Sequence, residues 1–422
     1  MLILLKNVKI TDPQSPHNGL VKDILVENGF IKKIGNNISS PKEKTGIVDL
    51  KSYAISPGWV DIFSNFCDPG FEQNETLESG SNAAAHGGYT RVFILTETNP
   101  VADKKTSVEY IVEKSKNLPV HIQPLGAISK NTEGKDLAEM YDMYKSGAIA
   151  FTDGNKPLQS AGLLVKGLEY IKAIDATILQ VPVDKSIATS GLMHEGIIST
   201  RLGLPGIPAM AEKLIIERDL ELLAYTGSKL HITGVSTAAS VALIKKAKKA
   251  GLHVSCSVTP YHLFFCDEDL QDYDTNLKVS PPLRSRPDMM SLRKAVVNGD
   301  VDCIATHHQP HDWDEKTLEF EYAKFGMIGL QTCYAAINTI LPTLTDDQLI
   351  ELFSTNARKI FNLPSARIEE GLLAEFSLYS RKGQFVFEEN KNFSRSGNSP
   401  FFGKKLEGII KGIYAKNSLV TF

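Results

Sequence analysis

Residues 54–70 read AISPGWVDIFSNFCDPG, an apolar run of strand character that ends in polar residues and a Pro-Gly turn. Seven further runs of this kind follow: RVFILT (91–96), VHIQPLGAI (120–128), AIAFT (148–152), ATILQV (176–181), KLHITGV (229–235), LHVSCSV (252–258) and VDCIAT (301–306). Amphipathic stretches lie between them, among them LLVKGLEYIKAI (163–174), AEKLIIERDLELLAYTG (211–227) and STAASVALIKKAKKAGL (236–252). Eight strand candidates alternating with helices predict an α/β fold, a parallel (β/α)8 barrel of the TIM type, with a doubly wound open sheet as the rival. In a barrel the βα loops at the C-terminal ends of the strands build the mouth where chemistry occurs. Phe63 and Asn65, near the end of the first run, should therefore point into that mouth.

The flanks of this pattern differ from its centre. Segments LILLKNVKI, KDILVENGF and IKKIG near the start, and AEFSLYS, QFVFEE and KGIYAKNSLVTF near the end, read as hairpin-like β structure broken by Pro, Asn and Gly. The expected division is a small composite β domain from residues 1–54 and 366–422, and a barrel from 55–365. A length of 422 residues suits one large core with such an appendage. No linker or low-complexity segment separates a second large unit.

Lys and Arg number 46 against 49 Asp and Glu, without a long run of one sign, so neither nucleic acid nor a membrane surface is an expected partner. Cys67, Cys256, Cys266, Cys303 and Cys333 are scattered without a C-x-x-C pair, which reads as reduced thiols in a cytoplasmic protein. No run approaches the roughly 20 apolar residues that span a bilayer, so the chain is read as soluble and unexported.

Several stretches carry a resemblance. SPGWVDI (56–62) with DPG (68–70), ETLESGSNAAAHGGYT (75–90), TNPVAD (98–103), HEGIISTRLGLPGIPAMAE (194–212), VSTAASV (235–241), VTPYHL (258–263), NLKVSPPLRS (276–285), FGMIGLQT (325–332) and NSPFFGKKLEG (398–408) run almost from end to end. On these motifs the chain resembles the dihydroorotases of the amidohydrolase superfamily, in the type that associates with aspartate carbamoyltransferase. The resemblance implies a metal-dependent hydrolase of a cyclic amide in pyrimidine biosynthesis, in which bound metal activates water.

The same resemblance exposes what is missing. Active relatives carry D-x-H-x-H-x-R-x-P-G on strand 1, with two ligand histidines, and this chain has Phe63 and Asn65 there. After strand 4 they have F-[ST]-D-D-G, against FTDGN here, so Asp153 is kept and Gly154 stands at the bridging carboxylate. Val181 replaces the strand 5 histidine and Gly234 the strand 6 histidine. On strand 8, A-T-D-H-A-P-H becomes ATHHQPH, and His307 replaces the aspartate that is both ligand and general acid/base. All six ligand positions are changed, four of them to groups without a donor atom. On the substrate side, Cys67 stands for the arginine that would pair with a carboxylate, and Glu97 for an asparagine, which places a carboxylate where an anion should bind. Asn276, His311, Phe325 and Gly326 keep the family residues as a residual substrate pocket.

Other residues have bland readings beside sharper ones. His307, His308 and His311 with Asp312 invite a relocated metal site, for which Asp153, His262 and His307 are the candidate ligands, although relatives use the same loop structurally. His86 reads as a helix-end or interface histidine, and His231 as a satisfied core histidine. Cys67 is an inert buried thiol unless His262 or His307 activates it. These readings lead to a metal-free, catalytically inactive dihydroorotase homologue with a packed mouth and a structural or regulatory role. Its expected partners are aspartate carbamoyltransferase or an active dihydroorotase paralogue, and a homo-oligomer, in particular a dimer, is common in the family. The rival is an active zinc-dependent dihydroorotase, or another cyclic amidohydrolase, with unusual ligands. A third reading is a ligand sensor anchored by Asn276 and His311.

Overall fold

All eight apolar runs lie in one ring of parallel strands. The computed structural model describes residues 2–39 and 45–422; residue 1 and residues 40–44, which fall in the expected composite β domain, lie outside the described residues. Strand 1 (Trp59–Ser64) pairs with strand 2 (Tyr89–Ile94), and strand 2 with strand 3 (His121–Pro124). Strand 4 is reduced to the bridges that Phe151 makes with Gly126 and Ile178. Strand 5 (Ile178–Gln180), strand 6 (Leu230–Ile232), strand 7 (Val254–Val258) and strand 8 (Cys303–Ile304) continue the parallel ladder. A parallel bridge between Ser64 and His308 closes the ring, so the open-sheet rival falls.

Every residue of strands 1, 2 and 7 is buried, as expected of parallel strands covered on both faces. One apolar cluster joins strands to the surrounding helices through Val92, Ile122, Leu164, Ile216, Ile244 and Leu292. A second draws Val60, Phe93, Leu125, Ala150, Leu179 and Cys303 from six of the eight runs and so fills the ring itself. Helix starts follow the sequence: Thr76 forms a capping box on Leu77–His86, and the Thr237 side chain accepts from Ser240 N at the head of Ala238–Lys249. A short parallel pair, Met193–His194 with Gly206–Ile207, has no counterpart in the strand pattern.

Strands from both ends of the chain form one eight-stranded sheet. From one edge it runs Ser418–Thr421, Lys405–Ala415, Phe376–Val386, Ala54–Pro57, Leu2–Ile10, Val21–Glu27 and Phe30–Gly35, with Gly46–Asp49 also paired to Leu2–Ile10. It has its own apolar core around Ile10, Ile24, Ile55, Phe376 and Tyr414. Where sheet meets barrel, the buried Glu375 carboxylate accepts from Arg91 (2.7 Å), Arg358 (2.5 Å) and Thr90 Oγ1 (2.7 Å). Burial opposes ionisation there, but Arg358 and Arg91 outweigh it and hold the Glu375 carboxyl at about 2. Among the described residues, no helix is long and apolar enough to cross a membrane.

Candidate functional site at the barrel mouth

Asp61 anchors the end of strand 1. It is fully buried, accepts from Thr306 N (2.7 Å) and Ser64 Oγ (2.5 Å), and so ties strand 1 to the loop after strand 8. That tie places Phe63 against His307, with ring centroids 4.3 Å apart and planes 28° from parallel. Phe63 and Val181 belong to the apolar cluster inside the ring, where neither offers a metal a lone pair.

The two glycines at ligand positions are filled from across the mouth. A Cβ on Gly234, whose φ is +74°, would lie 2.6 Å from His307 Cε1, so the bare glycine makes room for the imidazole. A Cβ on Gly154, φ +62°, would lie 2.9 Å from Glu97 Oε1. Each of these two glycines therefore faces a residue from another strand in the space that a side chain of its own would need. Asn65 is committed to its own loop: its Oδ1 accepts from Cys67 N (2.9 Å) and its Nδ2 reaches Glu97 Oε2 at 3.5 Å.

His307 ends a chain of hydrogen bonds. His231 Nε2 lies 3.0 Å from Ser257 Oγ, Ser257 donates to Thr233 Oγ1 (2.9 Å), and Thr233 Oγ1 lies 2.8 Å from His307 Nε2. Since Ser257 donates onward, it accepts from His231 Nε2–H; Thr233 then donates to His307 Nε2, which leaves the His307 proton on Nδ1. His231 Nδ1 completes the set at 2.8 Å from Ser255 Oγ. Burial lowers all three buried imidazoles, His231 and His262 to about 3 and His307 in the same direction, so each is neutral near pH 7. His231 is a core residue with both nitrogens satisfied. Thr233, Ser255 and Ser257 are missing from the expected site set, although their two-residue spacing on strands 6 and 7 puts them on the same face as His231.

The relocated metal site does not form. Asp153 accepts from Ile128 N and Ser129 N, both at 2.9 Å, and from Ser129 Oγ at 2.5 Å; His262 holds Thr259 Oγ1 (2.9 Å) and Pro281 O (3.0 Å); His307 holds Thr233. Among the described residues the one group of three or more potential ligands whose donor atoms lie within 4.8 Å of one another is Cys266, Asp267 and Glu268, which includes none of these three. His308 Nδ1 accepts from Gly329 N (3.2 Å), so its Nε2–H faces Glu75 at 3.3 Å. His311 is held by Glu315 (2.8 Å) and the carbonyl of Phe325 (2.9 Å). The residues at the six positions do not fit a divalent ion: four have no donor atom, and Asn65 and His307 are engaged elsewhere.

Cys67 is buried, and burial followed by the Glu75, Glu97, Glu315 and Asp68 carboxylates pushes its thiol well up. A nucleophilic thiolate needs the opposite environment. His86 sits at a helix end with its ring stacked on Phe393 and Phe422, at centroid distances of 3.4 and 3.6 Å.

The mouth is not packed shut, contrary to expectation. A cavity of about 230 Å³ remains, lined by Phe63, Glu97, Asn155, Tyr261, Ser280, His307, Gln309, Phe325 and Gly326. The residual pocket is also split: Asn276 and His311 line a neighbouring cleft of about 570 Å³ with Lys316 and Arg395, while Glu97, Phe325 and Gly326 stay in the mouth. Asn276 and His311 thus share a cleft beside the mouth rather than the mouth itself, and both His311 nitrogens are engaged with Glu315 and the Phe325 carbonyl. Lys316, whose Nζ donates to Thr275 O (2.6 Å), Lys324 O (2.8 Å) and Gly326 O (3.1 Å), fixes the Phe325–Gly326 turn from beneath.

A family model described as dihydro-orotase-like matches residues 53–240. A dihydroorotase of Syntrophus aciditrophicus (strain SB) is 41% identical over 413 residues, 97% of each chain. Another, of Acetivibrio thermocellus, is 38% identical over 412 residues, covering 97% of this chain and 96% of the relative. The chain belongs to the dihydroorotase family. Solved structures share the fold of this dihydroorotase homologue at lower identity. L-hydantoinase (dihydropyrimidinase) from Arthrobacter aurescens superposes with a TM-score of 0.87 at 22% identity, covering 100% of this chain and 96% of that one. D-hydantoinase (dihydropyrimidinase) from Thermus sp. gives 0.82 at 19% identity, with 99% and 95% covered.

Proposed function

We propose that this chain is a noncatalytic member of the dihydroorotase family, kept for a structural or regulatory role in pyrimidine biosynthesis. The observation that carries this reading is the pairwise filling of the mouth: His307 occupies the side-chain space of Gly234, and Glu97 that of Gly154. Restoring one ligand would not rebuild a site whose neighbours have moved into its place. Without a metal to lower the pKa of a bound water there is no hydroxide nucleophile near neutral pH, and His307, held neutral, replaces the aspartate that the resemblance makes the general acid/base. Aspartate carbamoyltransferase is the first partner to test and an active dihydroorotase paralogue the second, with a homodimer as the expected state of the chain alone. Capture from the native host with tagged chain, followed by partner identification, tests the scaffold role; recovery of neither partner contradicts it.

The rival reading, an active cyclic amidohydrolase with unusual ligands, draws on the open mouth cavity. Zinc bound in stoichiometric amount with chelator-sensitive dihydroorotate turnover would favour it, and absence of both excludes it.

A further inference from the structure

The mouth cavity has the wrong charge for the family's carboxylate-bearing substrate. Its lining contains one carboxylate, Glu97, and no lysine or arginine. Glu97 is half-buried and held in place by Asn155 N on Oε1 (2.7 Å) and Asn155 Nδ2 on Oε2 (3.0 Å), with Asn65 Nδ2 at 3.5 Å; burial raises its carboxyl and the Asn155 bonds oppose that rise, so a cation placed on its open side would favour the ionised form. A carboxylate has about four acceptor positions, so a preorganised acceptor remains beyond these contacts. Three aromatic residues, Phe63, Tyr261 and Phe325, share the lining. Beside the cavity, Cys67 stands where the resemblance places a carboxylate-binding arginine, and Glu75, Glu97, Glu315 and Asp68 act on it electrostatically. Lys156 and His311 act on Glu97 electrostatically from outside the lining, and Lys278 lies over the Phe325 ring at 4.7 Å from its centroid, with its Nζ donating to Phe320 O and Glu321 O.

A fixed carboxylate among aromatic rings is the chemistry that holds an organic cation: charge-assisted N–H donation to the oxygens, and attraction of the positive charge to ring faces. The volume of about 230 Å³ falls below the ~300 Å³ at which pockets for drug-sized ligands begin, which limits the ligand to about one ring.

We propose that the mouth binds a small, single-ring organic cation with N–H donors of the amidinium or guanidinium type, held by Glu97 between aromatic walls. This rests on the noncatalytic reading, since turnover of dihydroorotate requires the mouth to accept an anion. The test uses three probes of one shape and different charge, benzamidinium, benzamide and benzoate, titrated into the full-length chain by calorimetry. The expected result is binding of benzamidinium, at least about tenfold weaker binding of benzamide, and no detectable binding of benzoate. Glu97→Gln is expected to weaken benzamidinium by about tenfold or more while leaving the melting temperature near that of the parent. Should that variant not fold, the charge order of the three probes on the parent chain decides alone. Benzoate binding as tightly as benzamidinium, no probe binding at millimolar concentration, or benzamidinium binding unchanged by Glu97→Gln overturns the proposal. Dihydroorotate turnover in the same preparation is a separate readout: it overturns the noncatalytic reading, whereas anion preference without turnover overturns the cation site alone.

Discussion

Charge is handled in opposite ways where the barrel meets the sheet and where it opens at the mouth. At the junction, Glu375 is matched by Arg91 and Arg358, buried as a set and ionised as a set. At the mouth, the imidazoles of His231, His262 and His307 are buried and neutral, and Glu97 is the one carboxylate lining the cavity. A buried charge persists where a partner of opposite sign is built beside it. A mouth organised around metal ions would have carboxylate and imidazole ligands directed at them, and here those positions hold apolar, small or internally bonded groups. Charge is paired where sheet and barrel are held together, whereas the lining of the mouth has one carboxylate and no lysine or arginine.

Breaking the junction should have the largest effect. Glu375→Gln leaves two buried guanidiniums without their counter-charge and is expected to destabilise the chain by ~3–5 kcal/mol in chemical denaturation; a loss under 1 kcal/mol would mean that the two ends do not differ as described. At the mouth, Gly234→Ala combines a left-handed φ with overlap of the His307 ring, for an expected ~2–4 kcal/mol. In a His307→Ala background the overlap is gone and the cost should fall to ~1–2 kcal/mol. Equal costs in both backgrounds would show that His307 does not fill the space of the missing ligand.

The two regions also separate on a pH axis. For the neutral histidines the folded pKa lies below the unfolded value of ~6.5, so their contribution is fully present above that pH. It is lost as pH falls towards about 3, at up to ~1.4 kcal/mol per unit for each histidine. Glu375 has the opposite charge logic. Its depressed pKa gives stability that is present above ~4.3 and lost only as pH falls through about 2. Urea unfolding at stepped pH should thus show a slope between pH 6.5 and 4.5 that His231→Gln reduces and Glu375→Gln does not. The smallest expected effect concerns thiols: all five cysteines are buried, and a bulky alkylating reagent should label none before unfolding.

The ring was legible because parallel strands covered on both faces read as short apolar runs, and each of the eight runs contains the strand or bridge that closes the barrel. Strand 4 was over-read, since AIAFT contributes only the bridges of Phe151, and the pair Met193–His194 with Gly206–Ile207 is too short to leave a periodic signal. At the site, the resemblance to the family motifs is what marks Phe63, Val181, Gly154 and Gly234 as ligand positions without a donor atom. The compensation was not legible. Gly234 meets His307 and Gly154 meets Glu97 across the mouth, between positions far apart in the chain, and no local pattern encodes such contacts. The same limit explains the packed-mouth expectation: Phe63 does fill ligand space, but the cavity beside it depends on how far the Phe325–Gly326 turn stands off, which Lys316 sets from beneath.

Metal content of the purified full-length chain, grown with added zinc and dialysed against metal-free buffer, tests the central claim most directly. The donor-poor and internally bonded ligand positions predict far less than one equivalent of zinc, with no dihydroorotate turnover when zinc is restored. About two equivalents of retained zinc, with turnover abolished by chelator, would contradict it.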